Sequence, residues 1–265
     1  MCPSKKMNES RLRRRVIDVH CHLGKYSPVY IPRSKPDDMI RVMDAIGIEA
    51  ACISSFAAIG PDWEVGNSMV AEAVSQYPQR FIGYGVINPN YPGHIHDELD
   101  RCFDVLGLQA IKLHPVWHDY PIDGPNYTPV FEYAESHRLT ILSHTWGNSD
   151  FLAGAASSYP NINFVVAHAG GWNGKAISSS KLIEYKILAT AKNYGNIYLD
   201  LAASLVYFGA LERLVKLVGA EKILFGSDFP LHNLGYQLGR VLFAKISRKE
   251  KNAILWENAQ KLLWT

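Results

Sequence analysis

The chain has 265 residues, 48% of them apolar and 20% charged, which suits one large globular domain with a sizeable core. Its 27 basic and 25 acidic residues leave a net charge of +2, too little to mark a nucleic-acid partner. No apolar run approaches the roughly 18 residues of a membrane span, the first residues lack the apolar stretch of a signal peptide, and no membrane partner is expected.

In chain order, residues 1–15 read as a solvated basic tail carrying Arg11 and Arg13 to Arg15. Residues 16–265 read as a single domain. Short apolar runs at 16–20, 50–55, 81–87, 110–114, 140–144, 163–168, 196–200 and 222–227 have the composition of strands. Amphipathic segments separate them, at 37–46, 68–77, 95–106, 130–137, 151–158, 181–194, 210–218 and 236–246. A last helical segment opens at Ser247 with Ser-Arg-Lys-Glu, a capping-box pattern, and runs apolar to Leu263. Strands that are apolar throughout are buried on both faces, as in a parallel sheet. Eight such βα units fit an α/β fold, a single (β/α)8 TIM barrel with an extra C-terminal helix. The first turn, His-Cys-His-Leu-Gly, lacks the glycine-rich pattern of an open nucleotide-binding sheet. Cys2, Cys21, Cys52 and Cys102 show no CxxC spacing and read as reduced thiols, hence a cytoplasmic setting.

Polar residues fall at the strand ends. The first strand ends in His20 and His22, which alternation places on one face with Cys21 on the other. The fourth ends in Lys112 and His114, the fifth in His144 and the sixth in His168, and Asp228 follows the eighth. In a βα barrel these ends meet at one mouth, where chemistry is built. Closure sets Asp228 beside His20 and His22, and His144 completes three-nitrogen, one-oxygen ligation of a divalent ion with a position left for water.

Val-Ile-Asp-Val-His-Cys-His, Ile-Lys-Leu-His-Pro, Leu-Ser-His, Val-Val-Ala-His-Ala-Gly-Gly and Phe-Gly-Ser-Asp-Phe-Pro, taken in order, resemble the amidohydrolase superfamily. The nearest likeness is to the amidohydrolase-related branch that contains aminocarboxymuconate semialdehyde decarboxylase. The resemblance runs from about residue 16 to the end of the chain. It implies a TIM barrel with one divalent metal, most simply zinc with manganese as another choice, held by His20, His22, His144 and Asp228. It implies that His168 is a catalytic histidine that ligates weakly or not at all, and that the protein is a homodimer. Lys112 departs from the bridging group of the binuclear members. It is open to carboxylation as a bridge, but an unmodified cation holding a substrate carboxylate is the favoured reading, which makes a second metal unnecessary.

The expected chemistry is hydrolysis. A metal-activated water attacks an amide, lactone or ester of a small carboxylate-bearing substrate, Asp228 carries the proton, and His168 steadies the oxyanion or orients the water. The alternative is non-oxidative decarboxylation of an unsaturated or aromatic acid at the same site. A second alternative is a catalytically silent scaffold stabilised by metal. Trp117, Trp146 and Trp172 follow strands four, five and six and are read, with Lys112 and His114, as the substrate pocket. His94 and His96 repeat the His-x-His spacing in a polar helix start, where alternate positions do not share a face, and are read as a decoy. His118, His137 and His232 are read as surface residues, His232 being near enough to Asp228 to line the mouth as an alternative.

Overall fold

The computed structural model describes residues 15–144, 146, 148–170, 186–204 and 207–263. Eight parallel strands pair in the order β1-β2-β3-β4-β5-β6-β7-β8. They are Ile17–Leu23 (β1), Ala50–Ser55 (β2), Phe81–Val86 (β3), Ala110–Leu113 (β4), Thr140–Ser143 (β5), Asn163–Val166 (β6), Ile197–Asp200 (β7) and Ile223–Leu224 (β8). The barrel closes where β1 meets the segment after β8. Val19 N–H donates to Phe225 O at 2.9 Å, Asp228 N–H to His20 O at 2.8 Å and His22 N–H to Phe229 O at 2.8 Å. The expected (β/α)8 architecture is present. The eighth strand differs from its expected 222–227 span because only Ile223 and Leu224 pair with β7, while the following residues pair with β1 instead.

Local chemistry sets the helices. Pro36–Ile46 begins with proline, carries Asp37 and Asp38 in its first turn, and ends at Gly47, whose φ of 87° suits a glycine cap. It buries Met39 and Met43, four residues apart on one face. Ala210–Val218 buries Leu211, Leu214, Val215 and Val218 by the same rule. The 95–106 segment is α-helical over Ile95–Asp100 and widens into a π turn over Arg101–Val105. The Ser247–Glu250 capping box forms, and the chain runs helically through Asn258–Leu263. Short helical turns at Phe56–Ile59 and Pro115–His118 were not foreseen from periodicity.

Two apolar layers result. One lies between strands and outer helices. The other is drawn mostly from the strands themselves, including Ile17, Val19, Leu142, Val165 and Leu224, and Ala259, Leu262 and Leu263 join it from the C-terminal helix. The C-terminal helix therefore plugs the bottom of the barrel, and Thr140 Oγ1 donates to Leu262 O at 3.1 Å. Arg15 is exposed, and its guanidinium pairs with Glu49 at 2.6 Å and lies 4.6 Å from the Trp256 ring centre. Residues 1–14 of the expected tail lie outside the described residues.

β1 departs from simple alternation. Its register against β2 shifts between Asp18 and Cys21. Below the shift Ile17 and Val19 join the interior layer; above it Cys21 and Leu23 join the outer one. A bulge changes which parity faces inward, so apolar side chains fill the barrel and His20 and His22 still reach the mouth.

Candidate active site

The strand ends surround a cavity of about 660 Å3. His20, His22, Lys112, His114, His144, His168 and Asp228 all line it, so the structure brings together the seven strand-end residues singled out in the sequence. Lys112 and His20 are almost wholly buried, at 0% and 1% exposed.

His22 Nε2 lies 3.0 Å from Asp228 Oδ1, and His20 Nε2 lies 3.8 Å from the same oxygen. On its other ring nitrogen His22 meets Ser54 Oγ at 3.0 Å, and His20 meets Asp200 Oδ2 at 2.9 Å. Lys112 Nζ is 2.9 Å from His20 Nε2. Among the described residues, two groups have ligand atoms within 4.8 Å of one another: His20, His22 and Asp228, and His20, His168 and Asp200. Imidazole nitrogen and carboxylate oxygen are the donors that a divalent ion such as zinc or manganese takes. His144 belongs to neither compact group, although it stacks on His114 with ring centres 4.2 Å apart and meets His168 edge-on at 5.0 Å. Its buried Nδ1 has no hydrogen-bond partner among the described residues, as fits a nitrogen reserved for a metal.

The electrostatics favour neutral imidazoles around one carboxylate. Burial, then the Lys112 charge, pushes His20 well down; burial lowers His22 and takes His144 to about 3. Neutral imidazole is the ligating form. Burial opposes ionisation of Asp228, but the hydrogen bond with His22 and the electrostatic pull of His20, His22 and His168 together outweigh it, and the carboxyl is held well below its usual range. Burial brings Lys112 down to about 8 against the opposing pull of the Asp200 and Asp228 charges. His114 Nδ1 accepts from the Trp117 N–H at 3.2 Å, which leaves its proton on Nε2. His168 and Asp228 have φ of 57° and 62°, left-handed values that non-glycine residues rarely take and that recur at functional sites.

Aromatic rings continue the histidines up one wall. Phe56 stacks on His22 at 4.6 Å, Tyr26 on Phe56 at 5.3 Å, Trp117 on Tyr26 at 4.3 Å and Trp117 on His114 at 4.4 Å between ring centres. Tyr26 and Phe56 carry little signal in the sequence: Tyr26 lies in the loop after β1, and Phe56, though it directly follows β2, reads as an ordinary core residue. Trp117 meets its expectation as a wall residue. Trp146 does not line the cavity: it is 2% exposed, donates Nε1–H to Val165 O at 2.9 Å and packs on Phe131 and Phe164. Its large apolar ring is used in the layer beneath the helices. Trp172 lies outside the described residues. His232 sits at the rim, with Nε2 3.7 Å from Asp228 Oδ2. His118 is buried rather than superficial, and His94 packs near Trp63, away from the mouth. Asp200 was overlooked, although it ends an apolar strand just as the histidines do.

Among the described residues no helix is long and apolar enough to cross a membrane. A family model described as Amidohydrolase matches residues 17–264. One curated relative, 2-amino-3-carboxymuconate-6-semialdehyde decarboxylase of Dictyostelium discoideum, is 27% identical over 203 residues, 62% of this chain and 55% of that protein. The chain thus spans little more than half of that relative's length. Gamma-resorcylate decarboxylase of Polaromonas sp. is 23% identical, with 85% of this chain and 86% of that protein covered. A solved dihydroxybenzoic acid decarboxylase from Polaromonas, with bound manganese and 2-nitroresorcinol, has a TM-score of 0.74 at 20% identity and covers 94% of this chain and 96% of its own. The 5-carboxyvanillate decarboxylase of Sphingomonas paucimobilis has a TM-score of 0.75 at 17% identity, covering 95% of this chain and 99% of its own. These two structural likenesses bear on the fold. The expectation of hydrolysis is overturned, because both curated relatives are decarboxylases. The ligand set had been read as a hydrolytic one, but metal-ligating histidines and a carboxylate at barrel strand ends serve either reaction. The barrel, its strand-end cluster and the match over 17–264 together place the chain in the amidohydrolase family.

Proposed function

We propose that the protein is a metal-dependent, non-oxidative decarboxylase of a small aromatic or unsaturated carboxylate. The observation that carries this reading is a buried cation, Lys112, beside the His20–His22–Asp228 cluster at the floor of a cavity with a stacked aromatic wall. His20, His22 and Asp228, with His144 as a further ligand, are the residues to hold one divalent ion. When bound, that ion supplies positive charge that draws in the substrate's oxygen atoms and stabilises charge developing on them. The imidazole-rich set favours zinc, and a carboxylate ligand also suits manganese, so elemental analysis of the purified protein decides the metal.

The chain's own groups divide the remaining work. Lys112 pairs with the substrate carboxylate, and the Tyr26–Trp117 stack offers a flat apolar face to its unsaturated part. Decarboxylation breaks the bond between the carboxyl carbon and the substrate, and a proton must take up the electron pair left behind. Asp228 is the one carboxyl among the described residues lining the cavity; ionised at rest, it takes a proton from solvent through His232 onto Oδ2 and passes it to the substrate carbon that held the carboxyl. His168, held through Nδ1 to Ala202 O at 2.8 Å, presents Nε2 to the substrate. The test is carbon dioxide release by metal-loaded protein from gamma-resorcylate, 5-carboxyvanillate and related arene and muconate carboxylates. Release that stops with a chelator supports the reading. A fully metallated sample that releases none across the panel removes it.

A further inference from the structure

Asp200 is fully buried at the end of β7 and has no part in the chemistry above. Both of its oxygens are engaged. Oδ2 meets His20 Nδ1 at 2.9 Å, while Oδ1 accepts the backbone N–H groups of His168 at 3.0 Å and of Ala202 at 2.8 Å. We propose that Asp200 is a positioning residue that fixes the tautomer of His20 and the backbone of His168 together, so that one carboxylate governs both metal affinity and the catalytic histidine.

Two independent contacts agree on the tautomer. A carboxylate on Nδ1 calls for a proton there, and the Lys112 ammonium at 2.9 Å calls for a lone pair on Nε2. Nε2 is the nitrogen that faces Asp228, so the lone pair points where a metal would sit. His22 has no such partner on Nδ1, where the Ser54 hydroxyl can donate or accept, and the carboxylate it meets is Asp228, on Nε2. The same carboxylate clamps the sixth-strand turn. His168 and Ala169 hold left-handed φ values of 57° and 49°, which cost energy in non-glycine residues unless neighbouring contacts enforce them. The Asp200 bond to His168 N–H does so, and Ala202, itself bonded to Asp200, takes His168 Nδ1 through its carbonyl at 2.8 Å. His168 is thus gripped at the backbone and at the ring by one connected unit. His20, His168 and Asp200 also have ligand spacing, but the Nδ1 atoms of both histidines and both Asp200 oxygens are already hydrogen-bonded, which favours orientation over ligation.

The inference rests on the metal-dependent reading above but not on the identity of the substrate. Asp200→Asn separates its two halves. The carboxamide oxygen keeps the two backbone N–H donors, while its NH2 faces His20 and demands a lone pair on Nδ1. The His20 proton then moves to Nε2, the metal-facing nitrogen. Imidazole 15N–1H spectra of metal-free protein should show His20 protonated at Nδ1 in the wild type and at Nε2 in the variant. Zinc and manganese affinity, measured by chelator competition, should fall about 10–100-fold, the usual cost of losing such a partner. Asp200→Ala should also lower kcat at saturating metal, because it frees His168. Unchanged affinity and tautomer in Asp200→Asn overturn the proposal. So does a wild type that binds two ions per chain when the variant binds one, which makes Asp200 a ligand. If the variant fails to fold, a wild-type His20 protonated at Nε2 overturns it alone. Failure to release carbon dioxide would count against the decarboxylase reading and leave these measurements standing.

Discussion

The floor and the wall of the cavity are built by different rules. On the floor, side chains come from strand ends, and His20, His22 and His168 are each fixed by a hydrogen bond to a second residue. On the wall, Tyr26, Phe56 and Trp117 come from loops and short helical turns and are held by ring stacking, with Trp117 36% exposed. A barrel thus keeps its reactive groups on rigid staves and gives substrate choice to elements that change at small cost to the fold. Substitutions should sort the same way.

The largest effect is expected from His22→Ala: elemental analysis should find the bound metal lost and turnover at background. Next, His168→Ala should keep the metal and lower kcat by about 10²–10⁴-fold, the range for a lost acid–base group. Loss of metal there would move His168 into the ligand set and blur the floor into one function. Lys112→Met should lower kcat/KM about 10–100-fold, as expected for a charge-assisted hydrogen bond of roughly 1.5–3 kcal/mol. A smaller effect on an acid analogue would show that Lys112 does not meet the carboxylate. On the wall, Trp117→Ala should raise KM about 2–10-fold with little change in kcat, the size of one aromatic contact. Trp146→Ala should leave KM and kcat of the folded protein unchanged, while denaturant unfolding shows a loss of about 3–5 kcal/mol. A shift in KM there would return Trp146 to the wall.

Legibility in the sequence followed the same division. The floor was readable because histidine, lysine and aspartate are conspicuous at the ends of apolar strands, and barrel topology brings those ends together. Asp200 carries the same signature, since it too closes an apolar strand. The wall was less readable. Trp146 follows its strand as Trp117 does, but its ring turns outward onto Phe131 and Phe164, a choice made by tertiary packing. The β1 bulge was hidden for a related reason, since pairing with β2 sets it and alternation within the strand carries no trace of it. Hydrolysis and decarboxylation were not separable, because one set of ligands serves both.

The seam between β1 and the segment after β8 links the first and last strands of the barrel through the site itself, as Asp228 N–H bonds to the carbonyl of His20. During synthesis, His20 and His22 leave the ribosome well before Asp228, and most of the barrel is made before the carboxylate joins them. Native ligation of a metal therefore waits for the eighth strand, and a nascent chain without it lacks the complete grip. An ion bound at the seam would in turn act as a clasp, coupling resistance to opening of the barrel there to metal supply.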